Sequence, residues 1–211
     1  MIGVVDYGMG NLRSVAKALA HVAPQARIVV TSDAGVIRDA DRIVLPGQSA
    51  MPDTMSALDR SGLRDAVLAC LRDRPFLGVC LGLQMLFDSS EEGPTRCLGV
   101  FAGEVRRFRE EEMILRGERL KVPHMGWSRV TQVRAHPLFA GIADGERFYF
   151  AHSYYPVPHD AGLTAATVSY PAAFTCAVAE ANIFAVQFHP EKSQRAGLRL
   201  LANFVTWNGT V

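Results

Sequence analysis

The segment Gly78-Val79-Cys80-Leu81-Gly82 constrains this chain more than any other. An apolar run, Pro75 to Val79, leads into it, and an apolar helical pattern, Leu81 to Phe87, leads out. Small residues two before and two after a nucleophile let a strand turn sharply into a helix. That turn lifts the side chain clear of a sheet and aims the next backbone N–H at the reacting atom. The positive end of the helix favours a thiolate. The alternative is a buried Cys at a strand end, where the glycines only allow close packing.

A nucleophilic Cys needs a base and an orienting group. The candidates stand far downstream, in Gln187-Phe188-His189-Pro190-Glu191-Lys192-Ser193. A buried strand, Ile183 to Phe188, delivers His189 to its C-terminal end, where Pro190, lacking an N–H, stops the ladder. Glu191, two residues on, can fold back and set the imidazole tautomer. Taken alone, this stretch also reads as a solvated turn after an edge strand. Together with the elbow it points to one site, because ligands bind at the carboxyl ends of parallel strands.

The first half of the chain alternates strand and helix. Strands are expected at Ile2–Asp6, Arg27–Thr31 and Ile43–Leu45, the last closed by Pro46-Gly47. Asn11 is placed to cap a helix running to Val22, and helical patterns continue through Arg72. This rhythm argues for a parallel sheet covered on both faces. After Gly93, short alternating segments appear at Gly99–Phe108, Trp127–Val133, Arg147–Ser153, Thr164–Val168, Phe174–Val178 and Ile183–Phe188. They read as an added, largely antiparallel sheet region. A helix from Gln194 to Trp207 closes the chain. The expected class is α/β: a mostly parallel central sheet flanked by helices, with an additional antiparallel sheet region. With no linker or repeat, residues 1–211 are expected to form a single domain.

Composition excludes several functions. The formal net charge is +1, which gives no global case for nucleic acid or acidic membranes. Arg106, Arg107, Arg109, Arg116, Arg119 and Lys121 cluster, but Glu110, Glu111, Glu112 and Glu118 interleave them as on a solvated hairpin. The four cysteines, Cys70, Cys80, Cys97 and Cys176, fit no zinc or redox spacing. Cys70 and Cys176 read as small core residues, and Cys97 admits either reading. No signal peptide is evident, and no run nears the ~20 apolar residues of a membrane span. A reducing, cytoplasmic setting is expected. Gly8-Met9-Gly10 starts like a dinucleotide fingerprint, but Arg13 stands where its third Gly belongs. No phosphate-binding Gly-Lys loop exists, and no histidine pair has metal-ligand spacing in a helix. No metal or cofactor is expected. His21, His136 and His159 are expected to be exposed. Pro46-Gly47-Gln48-Ser49 follows a buried strand beside the elbow and is either a second oxyanion donor or a turn.

These segments together resemble the class I (triad) glutamine amidotransferases. The elbow, the Pro46-Gly47 loop and Phe188-His189-Pro190-Glu191 carry that likeness. Asp6–Val15, Pro123-His124-Met125-Gly126-Trp127 and Tyr149–Tyr155 narrow it to the glutaminase subunits of imidazole glycerol phosphate synthases. The resemblance spans the chain from first strand to last helix. It implies a subunit of histidine biosynthesis that hydrolyses glutamine. The ammonia passes to a (β/α)₈-barrel cyclase partner. It implies Cys80, His189 and Glu191 as the triad, with oxyanion donors from Leu81 and Gly47 or Gln48. It places Gly47, Gln84, His152, Ser153 and Tyr154 in the glutamine pocket, and His124, Met125 and Trp127 at the partner interface. Two positions depart from the family's habit: Ser49 stands where Gly is usual, and Ser128 where Asn is usual. Rival readings are another class I glutaminase subunit, a Cys peptidase or γ-glutamyl hydrolase, and a catalytically silent binding subunit. The intact Cys80, His189 and Glu191 argue against the last.

Overall fold

The computed structural model describes residues 1–115 and 118–210. Arg116, part of the basic cluster, lies outside them. The chain opens with strand β1 (Ile2–Val5), helix α1 (Leu12–Val22), β2 (Ile28–Thr31), α2 (Ala34–Arg38) and β3 (Arg42–Gly47). Helices α3 (Met51–Arg60) and α4 (Arg64–Cys70) follow, then β4 (Phe76–Cys80) and the one-turn α5 (Leu81–Gln84). Short strands come next: β5 (Phe87–Ser90), β6 (Thr95–Arg96), β7 (Phe101–Arg107), β8 (Ile114–Leu115) and β9 (Glu118–Arg119). The third quarter holds β10 (His124–Arg129), β11 (Thr131–Gln132), β12 (Arg147–His152) and β13 (Tyr154–Pro158). The chain ends with β14 (Thr164–Ser169), β15 (Ala173–Glu180), β16 (Ile183–Val186) and α6 (Gln194–Thr206).

One sheet of eight strands organises these elements, in the order β11-β14-β15-β16-β4-β3-β1-β2. From β2 across to β16 the pairs are parallel. From β16 outward they are antiparallel. A second sheet, β13-β7-β5-β6, and the β10–β12 pair form the added region, antiparallel except for the parallel β5–β7 pair. Successive side chains on a strand face opposite ways, so a sheet covered on both faces has strands buried throughout. In β4, Leu77 and Val79 pack with Val15, Leu19, Leu200 and Phe204 on one side. Phe76 packs with Ile37, Leu58 and Val67 on the other.

Three expectations need correction. The helix after Cys80 stops at Gln84 instead of reaching Phe87, because the carbonyls from Met85 to Asp88 accept hydrogen bonds from backbone N–H groups of residues 97–101. A carbonyl bonded across the chain does not continue a helix. Strand β3 runs on through Pro46 and Gly47, in register with Val79 and Cys80. Its pairing with β1 ends at Val44, so Pro46 lies past the doubly bonded stretch, where a missing N–H is tolerated. His136 is buried, not exposed. Its Nδ1 accepts from the Leu138 N–H, and its ring packs on Phe184 and Trp207.

Candidate active site

The elbow is built by backbone crowding. Cys80 ends β4 with φ 56° and ψ −112°, a strained conformation for a residue with a side chain. A Cβ on Gly82 would run into the Leu45 carbonyl. One on Gly47 would sit 2.5 Å from the Gly82 nitrogen. Only glycines let α5 lie directly on the end of β3. The result puts Gly47 beside Cys80, at the carboxyl ends of adjacent parallel strands.

His189 arrives from the neighbouring strand β16. Its N–H donates to the Tyr149 carbonyl at 2.9 Å, and its carbonyl accepts from Ser193 Oγ at 2.6 Å. Held at both ends, the ring sets Nδ1 2.8 Å from Glu191 Oε1. The carboxylate fixes the proton on Nδ1 and leaves Nε2 for the thiol side. Burial pulls the His189 pKa down, but interaction with Cys80 and then with Glu191 overrides it and holds the imidazole well above its ordinary value. Glu191 is 1% exposed at its side chain, and its Oε2 has no partner among the described residues. Its Oε1 also accepts from Asn11 Nδ2 at 3.2 Å. Asn11 precedes α1 as expected but makes no side-chain cap, spending its amide on Glu191.

A cavity of about 350 Å³ gathers these groups. Cys80, His189, Leu81, Gly47 and Gln48 line it, with Gln84, His152, Ser153 and Tyr154. Glu92 and Lys192 line it too, one charge of each sign, and the sequence pattern did not single them out as a pair. Glu92 Oε2 is steadied by the Met51 N–H at 2.7 Å. The loop after β3 is pinned by Tyr7, whose hydroxyl donates to the Pro46 carbonyl at 2.8 Å. Ser49 in that loop adopts φ 97°. A larger, more open groove of about 1020 Å³ lies against α6, but neither Cys80 nor His189 borders it.

Behind the cavity lie buried polar groups. Gln84 Nε2 donates to the Tyr154 carbonyl and to Gln187 Oε1, both at 2.9 Å, while Gln84 Oε1 has no partner among the described residues. Gln187, fully buried, donates from Nε2 to Cys80 Sγ at 3.7 Å. Gln187 was not singled out from the sequence, and Asn11 was read only as a helix cap. A buried Gln beside an apolar strand is the one signal that marks Gln187. His124 is 1% exposed, whereas Met125 and Trp127 are 63% and 43% exposed. The alternation of β10 carried this split: His124 and Ser128 face inward, Met125 and Trp127 outward. Burial raises the thiol pKa of Cys70, of Cys176 and of Cys97, the last to about 11, so these three stay protonated. Among the described residues, no group of three or more His, Cys, Asp or Glu is placed to hold a metal ion. No helix among them is long and apolar enough to cross a membrane.

The model of the family described as glutamine amidotransferase class-I matches residues 3–207. The chain belongs to the class I glutamine amidotransferases. Among curated relatives of this amidotransferase, the imidazole glycerol phosphate synthase subunit HisH of Thiobacillus denitrificans is 61% identical over 208 residues, 98% of this chain and 91% of that protein. The subunit of the same name from Dechloromonas aromatica is 60% identical over 98% of this chain and 96% of its own. The fold is shared with the glutaminase domain of Trypanosoma brucei CTPS with bound acivicin. That match has a TM-score of 0.64 at 18% identity, over all of this chain and 97% of that one.

Proposed function

We propose that this chain, as a single domain, is the glutaminase subunit of an imidazole glycerol phosphate synthase working in the cytoplasm. It hydrolyses glutamine to glutamate and ammonia. A (β/α)₈-barrel cyclase subunit takes up the ammonia and makes imidazole glycerol phosphate and aminoimidazole carboxamide ribotide for histidine biosynthesis. The observation that supports this most directly is Cys80 and His189 on one cavity, with Glu191 bonded to His189 from behind, in a chain 61% identical to a subunit of that name.

Glutamine enters with its carboxamide toward Cys80. Gln84 borders the space it enters, and Glu92 and Lys192 carry charges opposite to its α-ammonium and α-carboxylate. Sγ attacks the carboxamide carbon, and the new oxyanion is met by the N–H of Leu81 and one from Gly47 or Gln48. Each such donor is typically worth ~3 kcal/mol of transition-state stabilisation. His189 Nε2 gives its proton to the leaving nitrogen, and ammonia departs from the thioester. His189 then takes a proton from water as the water attacks, and glutamate leaves. Glu191 keeps the ring oriented and balances its charge throughout. Met125 lines the cavity, and the exposed Trp127 lies two residues along the same face of β10. A partner seated on this face would receive ammonia before it reached solvent.

Cys80→Ala tests this reading. Glutamine-dependent ammonia release should fall by about 10⁴-fold or more, while the complex with the cyclase still forms product from added ammonium salt. Retained glutamine hydrolysis in Cys80→Ala would end the proposal.

A further inference from the structure

Between the thiol and strand β10 runs a line of neutral hydrogen-bonding groups that the steps above leave unused. The Tyr154 carbonyl stands at its centre, accepting from His152 Nδ1 at 2.8 Å and from Gln84 Nε2 at 2.9 Å. A carbonyl cannot donate, so both neighbours must turn an N–H toward it. Gln84 gives its second N–H to Gln187 Oε1 at 2.9 Å. Gln187 therefore has one way round, with Nε2 toward Cys80 Sγ at 3.7 Å. A flipped Gln187 would set its oxygen against the sulfur and its NH₂ against that of Gln84.

The other arm has a single direction too. With its proton on Nδ1, His152 offers Nε2 as an acceptor, and His124 Nδ1 donates to it at 3.0 Å. His124 Nε2 then accepts from Ser128 Oγ at 2.8 Å. Burial lowers the His124 pKa to about 4, and burial, then the His124 charge, lowers that of His152 to about 3. Both rings are neutral near pH 7, so no protonated form competes with this order.

Gln187 is fully buried and does not line the cavity, and of the triad members it bonds Cys80. We propose that Gln187 is a positioning residue for Cys80, its N–H held toward the sulfur by Gln84, whose amide is in turn oriented by the Tyr154 carbonyl. An amide N–H pointed at sulfur favours the thiolate, as hydrogen bonds to charged acceptors are the strong ones. The proposal rests on Cys80 being the nucleophile. His189 after β16 and Tyr7 after β1 both interact with Cys80, and both stay unchanged in the variants below.

The test is alkylation of Cys80 by iodoacetamide in the whole chain at neutral pH, with the labelled site mapped by peptide mass. Gln187→Met keeps the side-chain length without a donor and is expected to slow labelling about tenfold. Gln84→Met removes the N–H that decides which way Gln187 turns and is expected to slow labelling about two- to threefold. In both variants the rise of labelling with pH should shift to higher pH, which a merely structural role would not cause. Unchanged or faster labelling in Gln187→Met, with an intact thermal melt, overturns the proposal. If Gln187→Met does not fold, a wild-type labelling rate and pH profile in Gln84→Met overturn it equally. Labelling requires neither glutamine nor a partner. A wild-type chain that labels at Cys80 yet frees no ammonia from glutamine in the complex with the cyclase removes the proposed function alone.

Discussion

Asn11 stands where a helix cap belongs, yet its amide reaches Glu191, 180 positions away. Sequence position gives the residue type a local use, and the fold gives it a distant one. Asn11→Ala should lower kcat for glutamine about tenfold or more, the worth of one hydrogen bond to a carboxylate. KM should stay near wild type, because Asn11 does not line the cavity. Steady-state kinetics of the complex with the cyclase decide it, and a change confined to KM would place Asn11 elsewhere in the mechanism. Ser49 presents a different case. Its φ of 97° costs little for Gly and more for any residue with a Cβ. Ser49→Gly should stabilise the chain by up to about 1 kcal/mol, read from urea midpoints. A loss of stability would mean that the Ser hydroxyl or the stiffer unfolded chain outweighs the strain.

At the scale of elements, β10 shows how one strand serves two purposes. Its inward residues, His124 and Ser128, join the buried line behind the cavity, while Met125 and Trp127 face out. Trp127 meets the ring of Tyr149, its cross-strand neighbour, edge-on. Trp127→Ala should weaken association with the cyclase by ~2 kcal/mol or more and barely move the melting temperature of the free chain. Titration against the cyclase, with melts of each protein alone, separates the outcomes. A large drop in melting temperature with unchanged affinity would assign Trp127 to the core. The elbow teaches the converse. Phe76–Cys80 was legible as a strand because an unbroken apolar run flanked by Pro and Gly has few other uses. The helix after it was over-read, since the partners of the Met85–Asp88 carbonyls lie on a segment ten residues further on.

For the whole molecule, buried histidines set the response to pH. An unfolded chain protonates each imidazole below about pH 6.5. Burial keeps folded His124 and His136 neutral down to about 4, and His152 to about 3. The folded state thus binds fewer protons in that window, and stability falls as pH drops from about 6.5 toward 4. His189 works the other way. Its raised pKa stabilises the fold below the unfolded value, and that contribution is lost as pH rises through the folded one. Urea midpoints across pH should therefore decline on both sides of neutrality. In Cys80→Ala the alkaline decline should weaken, because interaction with Cys80 is the larger upward influence on His189, and the acid decline should persist. A flat acid limb would mean that the three histidines take up protons freely in the folded state.

The sequence alone determined the parallel α/β core, the elbow, and the two segments that bring Cys80 and the His189–Glu191 pair to one end of the sheet. Those features are local: apolar runs, Gly spacing and a Pro stop act within a few residues, so a linear reading reaches them. The burial of His136, the turn of Asn11 toward Glu191, and the Ser128-to-Cys80 line were decided only by tertiary structure. The first rests on packing against Phe184 and Trp207, and the other two on polar groups that meet across up to 180 positions of chain. A buried donor must find an acceptor wherever the packing places one, and no pattern along the sequence records that choice.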